Sequence, residues 1–514
     1  MSSARIIHNG GALTADFVPG TDILSLLREN GIKMRAPCGG NGTCGKCRVL
    51  ISENGTDSRE ALACRTIASD GMTITVPEDS FGIIETVSGA QEFKTDGEEG
   101  FGLAFDIGTT SVAAALVSLS DGALIDTCSG WNSQRHRGRD VISRAQFTLE
   151  RDDGLDILSK DINSQIEEMS LLLLKRNGIE PGAVKRVAIA GNTVMEHLVC
   201  GLDVENIVRA PFVPRTLFRD ETGLSLSLFP DAEALITPCI SGYVGGDIVS
   251  GLCSEESLRS ADGSFLYLDI GTNGEVVIYD KRKLTCCSVA MGPAFEGARI
   301  SCGMRSVTGA IDHFSCDTDL KRTVIGDGEP AGICGTGLIE LVSILLDRGL
   351  IDGSGRLLDA DELDISDPLV RRLDTDADGA NLFWVDRDNG IYLSSADIRQ
   401  VQLAKRAMAT GIELLTQRSG LVISDIDRIY IAGGFGRRLD IDACMNIGLL
   451  PGGIRNRTVY LGNASLRGSC RALCSKAARN RIRQTARGAE YIELSLSGLF
   501  SDRYIDNLNF REEN

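Results

Sequence analysis

The chain has 514 residues, of which 43% are hydrophobic, and its 53 basic and 71 acidic side chains give a formal net charge of −18. This hydrophobic content excludes a disordered chain, and the length predicts about three domains. The acidic balance argues against a phosphate backbone or an anionic lipid surface as partner, so we expect no nucleic acid and no membrane.

The cysteine content and the amino terminus indicate the compartment. Sixteen cysteines spread over this length fit a reducing environment, and an anaerobic cell in particular. No stretch reaches about eighteen consecutive apolar residues, and the opening MSSARIIHNGG lacks a basic region followed by an apolar core. We therefore expect a cytoplasmic protein.

Residues 1–77 predict a small domain of short strands and one helix. The helix is expected over Asp22–Asn30, with Thr21 as its cap and Gly31 as its end. An Asn-Gly-Gly turn predicts a hairpin between the first two strands. We expect strands at Arg5–His8, Ala12–Val18, Arg48–Ser52 and Met72–Pro77.

Four cysteines in this domain have a spacing that suits an iron–sulfur cluster, which needs four thiolates. The first three follow C-x5-C-x2-C in a glycine-rich loop, where backbone amides can turn toward the sulfurs. Zinc and unligated core thiols are the alternatives. A zinc site usually has a second C-x2-C or H-x3-5-H pair, which is missing here, so the cluster is favoured. The expected ligands are Cys38, Cys44, Cys47 and Cys64.

The order of hairpin, helix, cysteine loop and strands resembles a [2Fe–2S] ferredoxin of the β-grasp type over residues 1 to about 77. The pattern departs from the plant type by one extra residue between Cys38 and Cys44 and by a short gap before Cys64. Residues 78–100 follow with seven acidic side chains against one lysine, four glycines and no sustained periodicity. They predict a linker between the ferredoxin-like domain and the rest of the chain, 101–514.

Two Asp-Ile-Gly-Thr motifs, 163 residues apart, mark the second domain. Each stands between two apolar strands, in FGLAFDIGTTSVAAALVSL and in LYLDIGTNGEVVIYD. Their repetition predicts a duplicated α/β fold with two halves facing each other across a cleft. Asp106 and Asp269 would then lie at the cleft, where each can hold a hydrated Mg²⁺ ion.

Glycine turns after these strands expose backbone amides that suit nucleotide phosphates, and the neighbouring hydroxyls add donors. The expected phosphate-binding residues are Gly108, Thr109, Thr110, Gly271, Thr272 and Asn273. A third strand runs into paired glycines in RIYIAGGFG, where backbone can lie directly against a base or ribose. The expected adenosine-binding residues are Gly433, Gly434, Phe435 and Gly436.

Together the three motifs resemble the phosphate-1, phosphate-2 and adenosine segments of the actin, sugar-kinase and heat-shock-chaperone ATPase superfamily. The resemblance implies ATP as ligand, with Mg²⁺, and Asp106 and Asp269 as the catalytic carboxylates. Glycine-rich GICGTG at Gly332–Gly337 lacks dinucleotide-fingerprint spacing, and we leave it open between a structural turn and a nucleotide contact.

A ferredoxin-like domain joined to this ATPase core resembles the reductive activators of corrinoid-dependent proteins. That resemblance implies one-electron return of a partner's Co(II) corrinoid to Co(I), coupled to ATP hydrolysis. It also implies a corrinoid protein of a methyltransferase or O-demethylase system as partner and a low-potential electron donor, and it leaves a homodimer open. The segments that carry it are Gly138–Arg144, Ala190–His197, Tyr243–Asp247, Gly292–Met304, Gly332–Gly337, Ala432–Gly436 and Gly462–Leu466.

Other interpretations stay open at this point. The chain could be a small-molecule kinase with a ferredoxin sensor domain, or an electron shuttle with a degenerate nucleotide fold, although the intact aspartates argue against degeneracy. Glu296 could position the attacking water or cap a helix. The i, i+4 spacing of Cys470 and Cys474 places them on one helix face, where we favour packing over ligation.

Overall fold

A computed structural model of the chain forms two compact units, Met1–Gly82 and Ile83–Asn514. Five of the predicted site residues lie outside the described residues: Cys38, Cys44, Gly434, Phe435 and Gly436. Across the described part of the chain, no helix has the length and apolar character needed to cross a membrane. The structure describes residues 2–8, 11–30, 32, 47–53, 59–76, 92–138, 140–219, 228–255, 258, 263–326, 328–433, 439–494 and 498–510.

The first unit is a five-stranded mixed sheet with one helix, in the strand order β2-β1-β5-β3-β4. Strands β1 and β2 pair antiparallel, whereas β1 and β5 pair parallel. This is the β-grasp arrangement expected for a ferredoxin-like domain. Its elements are β1 (Ser2–His8), β2 (Gly11–Phe17), α1 (Ile23–Glu29), β3 (Arg48–Glu53), β4 (Arg59–Leu62) and β5 (Met72–Thr75).

Helix α1 begins one residue later than the sequence predicted. The Ser25 backbone N–H donates to Asp22 Oδ1 over 3.0 Å, so Asp22 is the cap and the prediction of Thr21 was wrong. The Thr21 hydroxyl instead donates to the Val18 carbonyl over 2.8 Å, which closes the preceding turn. Carboxylate caps are as favourable as hydroxyl caps, so two adjacent candidates could not be separated by residue type alone.

The second unit contains two larger sheets. The first sheet has the strand order β10-β9-β6-β7-β8. Its strands are β6 (Phe101–Ile107), β7 (Ser111–Ser118), β8 (Leu124–Trp131), β9 (Val184–Gly191) and β10 (Glu233–Ile236). The second sheet has the order β21-β20-β11-β12-β13-β22. Its strands are β11 (Phe265–Ile270), β12 (Asn273–Tyr279), β13 (Leu284–Ala290), β20 (Arg428–Ala432), β21 (Thr458–Gly462) and β22 (Ala489–Tyr491).

Both sheets are built on the same pattern of pairing. Strand β6 pairs antiparallel with β7 and parallel with β9, and β11 pairs antiparallel with β12 and parallel with β20. Asp106 lies opposite Ala190 on the parallel side, and Asp269 lies opposite Ala432. The equal register of the two aspartates is the duplication predicted from the repeated motif.

Eleven further α-helices, counted within the described residues, complete the fold together with two three-stranded sheets. The sheets have the orders β15-β14-β16 and β17-β18-β19. Their strands are β14 (Ala310–Cys316), β15 (Leu320–Val324), β16 (Gly332–Ile333), β17 (Leu373–Thr375), β18 (Asn381–Asp386) and β19 (Ile391–Ser394). After α1, the helices are α2 (Val141–Glu150), α3 (Gly154–Arg176), α4 (Thr193–Val199), α5 (Glu205–Val208), α6 (Gly246–Leu252), α7 (Gly335–Asp347), α8 (Ser395–Arg418), α9 (Ile441–Asn446), α10 (Ala464–Cys474), α11 (Lys476–Gly488) and α12 (Gly498–Asp506).

Helices α6 and α10 form the layer between the two large sheets. Leu466 and Leu473 of α10 are buried with residues of the first sheet, and α6 is buried with residues of the second. A Cβ on Gly468 would lie 1.9 Å from the Ser250 carbonyl oxygen, so a glycine is needed where the helices cross. Cys470 and Cys474 are buried in the same apolar cluster as Leu466, as expected for packing residues.

The end of the predicted linker belongs to the second unit. Glu92 forms a bridge with Ala123, and Phe93 is buried at 7% exposure among residues of the first sheet and α10. The Asp96 carboxylate accepts the first N–H of helix α11, from Lys476, over 2.7 Å. Residues 92–100 are therefore packed on this unit, although their acidic composition favoured a linker.

Candidate functional site

Two aspartates stand at the ends of equivalent strands. Asp106 is the penultimate residue of β6, and Asp269 is the penultimate residue of β11. Asn463, which caps α10, donates its Nδ2 hydrogen to Asp106 Oδ2 over 2.9 Å. Burial raises the pKa of both carboxyls; for Asp269, burial and the nearby charge of Asp106 together raise the pKa to about 7. The structure thus brings these two predicted residues together.

A third carboxylate, Asp247, joins them from the first turn of α6. Burial raises its pKa to about 8, and the charges of Asp269 and then Asp106 contribute to the same shift. We did not assign Asp247 from the sequence, although it ends the segment YVGGD. Two glycines followed by an aspartate at a helix start could have been recognised as a functional position.

The chemistry of this carboxylate group suits a hydrated cation. Three carboxylates in a poorly solvated space repel one another, and a divalent ion would relieve that repulsion. Among the described residues, no three His, Cys, Asp or Glu side chains are close enough to hold a metal ion directly. The donors therefore fit an ion that keeps its water ligands, as Mg²⁺ commonly does.

The turn after β6 is supported by side chains from behind. The Asn132 amide donates to the Gly108 carbonyl over 2.8 Å, and its backbone N–H donates to the Thr110 carbonyl over 3.0 Å. Arg144 donates to the Thr109 carbonyl through Nη2. Arg144 is fully buried, and burial lowers the pKa of its guanidinium to about 9. All three carbonyls of the predicted phosphate-1 turn are thus engaged, which fixes the turn in one orientation.

The turn after β11 is supported by backbone. The Gly271 N–H donates to the Asn273 carbonyl over 3.0 Å, and the Gly292 N–H donates to the Thr272 carbonyl over 3.0 Å. Gly271, Thr272 and Asn273 are each partly exposed, as are the residues of the first turn. Both predicted phosphate turns are therefore accessible from the space between the sheets.

Glu296 connects the two turns. The Thr110 hydroxyl donates to Glu296 Oε2 over 2.8 Å, and the Thr272 hydroxyl donates to Glu296 Oε1. Arg305 donates to Glu296 Oε2 through Nη2 over 3.1 Å. The Glu296 side chain thus does not act as a helix cap, which leaves a role at the nucleotide site as the alternative consistent with its contacts.

Trp131 lies beside this group, at the end of β8. The Arg305 guanidinium carbon is 3.9 Å from the Trp131 ring centroid, and the Arg135 guanidinium carbon is 4.4 Å from it. Contacts of this kind are attractive because the aromatic face is electron-rich. Neither Trp131 nor Arg305 was assigned from the sequence, because the contact between them joins residues that are distant along the chain.

Gly433 marks the start of the predicted adenosine segment, directly after β20. Its backbone has a φ of +94°, a conformation that favours glycine. A Cβ at this position would also lie 2.8 Å from Asp269 Oδ1. The glycine therefore lets the backbone approach the carboxylate group closely.

In the first unit, two of the four predicted cluster ligands are described. The sulfurs of Cys47 and Cys64 are 3.1 Å apart, and the Cys64 N–H points to Cys47 Sγ over 3.4 Å. The two sulfurs are not joined in a disulfide. Neighbouring sulfurs with a backbone N–H directed at one of them are suited to ligating a single iron, because such donors stabilise thiolates in iron–sulfur sites. The donor set therefore fits the cluster.

Comparison with known proteins accounts for nearly the whole chain. Residues 6–69 match the 2Fe-2S iron-sulfur cluster binding domain, residues 101–258 match the RACo middle region, and residues 264–514 match the C-terminal domain of RACo, the ASKHA domain. The fold and the matched regions together define the class of protein. It consists of a [2Fe–2S] ferredoxin domain followed by an actin-like ATPase domain.

Within this class, the chain resembles the reductive activators of corrinoid proteins along almost its full length. It is 29% identical to the corrinoid activation enzyme RamQ of Eubacterium limosum, over 93% of this chain and 94% of that one. It is 22% identical to the [Co(II) methylated amine-specific corrinoid protein] reductase of Methanosarcina barkeri, over 80% and 77%. A solved structure of a reductive activator for corrinoid, iron-sulfur protein is 28% identical, with a TM-score of 0.71 and 98% coverage of both chains.

Proposed function

We propose that this chain is an ATP-hydrolysing reductive activator that returns the Co(II) corrinoid of a partner protein to Co(I). The reduced [2Fe–2S] cluster gives up one electron and the cobalt of the partner gains it, while ATP is hydrolysed to ADP and phosphate. The observation that carries the proposal is the convergence of Thr110, Thr272 and the carboxylate group in a chain that also has a ferredoxin domain. Relatives named for corrinoid activation and Co(II) corrinoid reduction support it.

ATP is needed because the electron moves uphill. Plant-type clusters have potentials of about −400 mV, and a Co(I) corrinoid is a still stronger reductant. Each 100 mV of deficit costs about 2.3 kcal/mol per electron. A conformational change of a few kcal/mol, driven by nucleotide, could close a modest gap. The two halves of the second unit, joined at Glu296, provide an element that can change its conformation with nucleotide state.

The roles of the site residues follow from their chemistry. Asp106, Asp247 and Asp269 would hold a hydrated Mg²⁺ ion, which neutralises charge on the phosphates. The first turn would bind phosphate through Gly108, Thr109 and Thr110, and the second through Gly271, Thr272 and Asn273. The adenosine would lie against Gly433, Gly434, Phe435 and Gly436. The cluster would be held by Cys38, Cys44, Cys47 and Cys64.

The cycle also requires partners outside the chain. A low-potential donor must return an electron to the cluster after each turnover, and the acceptor is a corrinoid protein of a methyltransferase system. We place the protein in the cytoplasm, because Co(I) survives only under reducing conditions.

The proposal is tested by following cobalt in the visible spectrum. Under anaerobic conditions, the protein is mixed with a Co(II) corrinoid protein, a low-potential reductant and MgATP, in a panel covering corrinoid proteins for methylated amines and O-methyl substrates. We expect Co(I) to form with at least one corrinoid protein, and to form far less with MgADP or with Cys64→Ala. A non-hydrolysable ATP analogue separates binding from hydrolysis as the driving step.

Two results would contradict the proposal. Equal formation of Co(I) without nucleotide would show that the ATPase domain is not coupled to reduction. Phosphorylation of a small-molecule hydroxyl by purified protein, without any redox partner, would favour the kinase alternative. Iron and acid-labile sulfide provide a further check, with about two of each expected per chain and zinc without sulfide as the contrary finding.

A further inference from the structure

The Glu296 carboxylate offers the two turns negatively charged oxygen acceptors, as a phosphate group would. Its two oxygens accept hydrogens from the Thr110 and Thr272 hydroxyls and from the Arg305 guanidinium. The side chain is only 19% exposed, so these protein donors replace most of its water. Phosphate oxygens are bound in proteins by the same kinds of donor. The carboxylate therefore occupies the position of an anion between the two phosphate turns.

The backbone that carries Glu296 is closely packed. Gly297 follows it with a φ of +76°, and a Cβ there would lie 2.4 Å from the Met304 carbonyl oxygen. A Cβ on Gly303 would lie 2.3 Å from the Gly297 carbonyl oxygen. Two segments of the Gly292–Met304 loop thus touch through glycines. Displacement of Glu296 must therefore occur mainly through its side chain rather than through movement of its turn.

Arg305 extends the connection to the other half of the unit. Glu296 and Arg305 come after β13 of the second large sheet. Thr110 lies in the turn between β6 and β7 of the first large sheet, and Trp131 ends β8 of the same sheet. Arg305 contacts Glu296 through one guanidinium nitrogen and lies 3.9 Å from the Trp131 ring centroid. Both the Thr110–Glu296 and the Arg305–Trp131 contacts join the two halves. The Glu296–Arg305 ion pair links these two contacts. A movement of the Glu296 side chain can therefore affect Trp131 through Arg305.

We propose that Glu296 occupies a phosphate position in the nucleotide-free chain, that nucleotide displaces it, and that Arg305 transmits the displacement to Trp131. Two anions cannot share the Thr110 and Thr272 hydroxyls without strong repulsion in a poorly solvated site. Phosphate binding therefore breaks the Glu296 bridge and frees Arg305 from its ion pair. Glu296 is thus a positioning residue that makes the contact between the halves depend on nucleotide. The inference rests on the proposed nucleotide function of this site.

The first test measures nucleotide affinity in Glu296→Gln. Glutamine has nearly the same size and still accepts a hydrogen bond, but it lacks the charge that competes with phosphate. Removing a competing bound state raises apparent affinity in proportion to its population. We expect MgADP to bind about tenfold more tightly to Glu296→Gln than to the unaltered chain, by isothermal titration. The exposed Glu329 gives a matched control, since Glu329→Gln removes the same charge elsewhere and should leave affinity unchanged.

The second test follows Trp131 directly. The chain has two tryptophans, so Trp384→Phe leaves Trp131 as the single reporter. We expect MgADP and MgATP to change its fluorescence in this background. Adding Arg305→Gln should remove the response while nucleotide still binds, because the link to Glu296 is lost. Arg135→Gln is the matched control: Arg135 also stacks on Trp131, so its replacement should alter the starting emission but keep the nucleotide response.

The outcomes separate this inference from the proposed function. Unchanged or weaker nucleotide binding in Glu296→Gln, with iron content and melting temperature as in the unaltered chain, would overturn the phosphate-position role. A full fluorescence response in Arg305→Gln would overturn the transmission to Trp131. Failure of the unaltered chain to bind any MgADP or MgATP would instead refute the proposed nucleotide function itself.

Discussion

The two Asp-Ile-Gly-Thr hairpins share their strand pairing but differ in what holds their turns. Behind the first turn, the side chains of Asn132 and Arg144 donate to the carbonyls of Gly108 and Thr109. Behind the second, the support comes from backbone, with Gly292 donating to the Thr272 carbonyl. The two halves therefore have the same strand pairing, but different hydrogen bonds stabilise the turn in each half.

The two halves therefore share some functional residues, whereas other residues occur in one half alone. Asp106 and Asp269 occupy equivalent positions, so their loss should have equivalent effects. Arg144 has no counterpart among the side chains that contact the second turn, so its loss should affect one half alone. The turn glycines also differ, because a Cβ at Gly108 would approach its own hairpin more closely than one at Gly271.

The largest effect is expected from the equivalent aspartates. Asp106→Asn and Asp269→Asn should each lower ATP turnover by about 10²–10³-fold, because each removes a charge that supports the metal and phosphates. Turnover is measured by phosphate release, and the visible spectrum of the cluster should be unchanged. Asp121→Asn, at an exposed position between β7 and β8, is the control. A tenfold or larger difference between the two cleft variants would break the equivalence of the halves.

Next in size is the loss of Arg144. Arg144→Met leaves the Thr109 and Gly138 carbonyls and the Gln134 side chain without their buried donor. Buried groups left unpaired cost about 1–3 kcal/mol each, so with three such groups the second unit should lose at least about 3 kcal/mol of unfolding free energy. Denaturant unfolding of the full chain, followed in the Trp384→Phe background, measures this loss. Arg144→Lys keeps the charge with fewer donors and should be intermediate; a stability equal to the unaltered chain in Arg144→Met would refute the support role.

The carboxylate group predicts a pH dependence of stability in Mg²⁺-free protein. The pKa values of Asp269 and Asp247 are raised to about 7 and about 8, above their ordinary values near 4. Between these limits the folded state binds more protons than the unfolded state, so the contribution of these two carboxyls to stability should fall as pH rises from about 4 to about 8 and then level off. The slope is at most about 1.4 kcal/mol per pH unit for each carboxyl.

Melting temperatures at pH 6, 7 and 8 in the presence of a chelator measure this slope. MgATP should flatten it, because a bound cation favours the ionised carboxylates. Asp247→Asn should reduce it in the chelated protein, since one of the titrating groups is gone. A stability unchanged between pH 6 and 8, with no difference in Asp247→Asn, would show that the carboxyls are already ionised without metal.

The smallest effect is expected at the turn glycines, where the two halves can be compared directly. A Cβ at Gly108 would lie 2.9 Å from the Ser111 carbonyl oxygen, whereas one at Gly271 would lie 3.4 Å from the Asn273 carbonyl oxygen. Gly108→Ala should therefore shift its turn and weaken MgADP binding more than Gly271→Ala, by a few-fold at most. Isothermal titration of both variants with MgADP measures this difference. A larger loss of MgADP affinity in Gly271→Ala than in Gly108→Ala would contradict the prediction.

Sequence alone predicted the features that depend on local patterns. The two Asp-Ile-Gly-Thr hairpins and the short strands and helix of the first unit follow from strand periodicity and turn chemistry, whereas the β-grasp sheet was expected from the resemblance to ferredoxins. Local patterns did not decide between neighbouring candidates. Thr21 was expected to cap α1, but Asp22 does so.

The other features of the site depend on contacts between residues that are far apart in the sequence, which local patterns do not predict. Glu296 and Thr110 are 186 residues apart, so their hydrogen bond depends on how the two halves pack. Asp247 becomes part of the site only because α6 begins beside the two aspartate-bearing strands. The acidic composition of residues 92–100 predicted a linker, yet the burial of Phe93, the bridge of Glu92 to Ala123 and the hydrogen bond from Lys476 to Asp96 attach that segment to the second unit.

The attachment of residues 92–100 determines where the second unit begins as a folded body. A chain shortened to start at Phe101 would lose Phe93 from its apolar site, and the first N–H of α11 would lose the Asp96 carboxylate that accepts it. Gly122 is shaped for this segment too, since a Cβ there would lie 1.8 Å from the Phe93 carbonyl oxygen. Residues 92–100 are therefore anchored on the face of the first sheet that packs against α10, so the folded body of the second unit begins before its first strand.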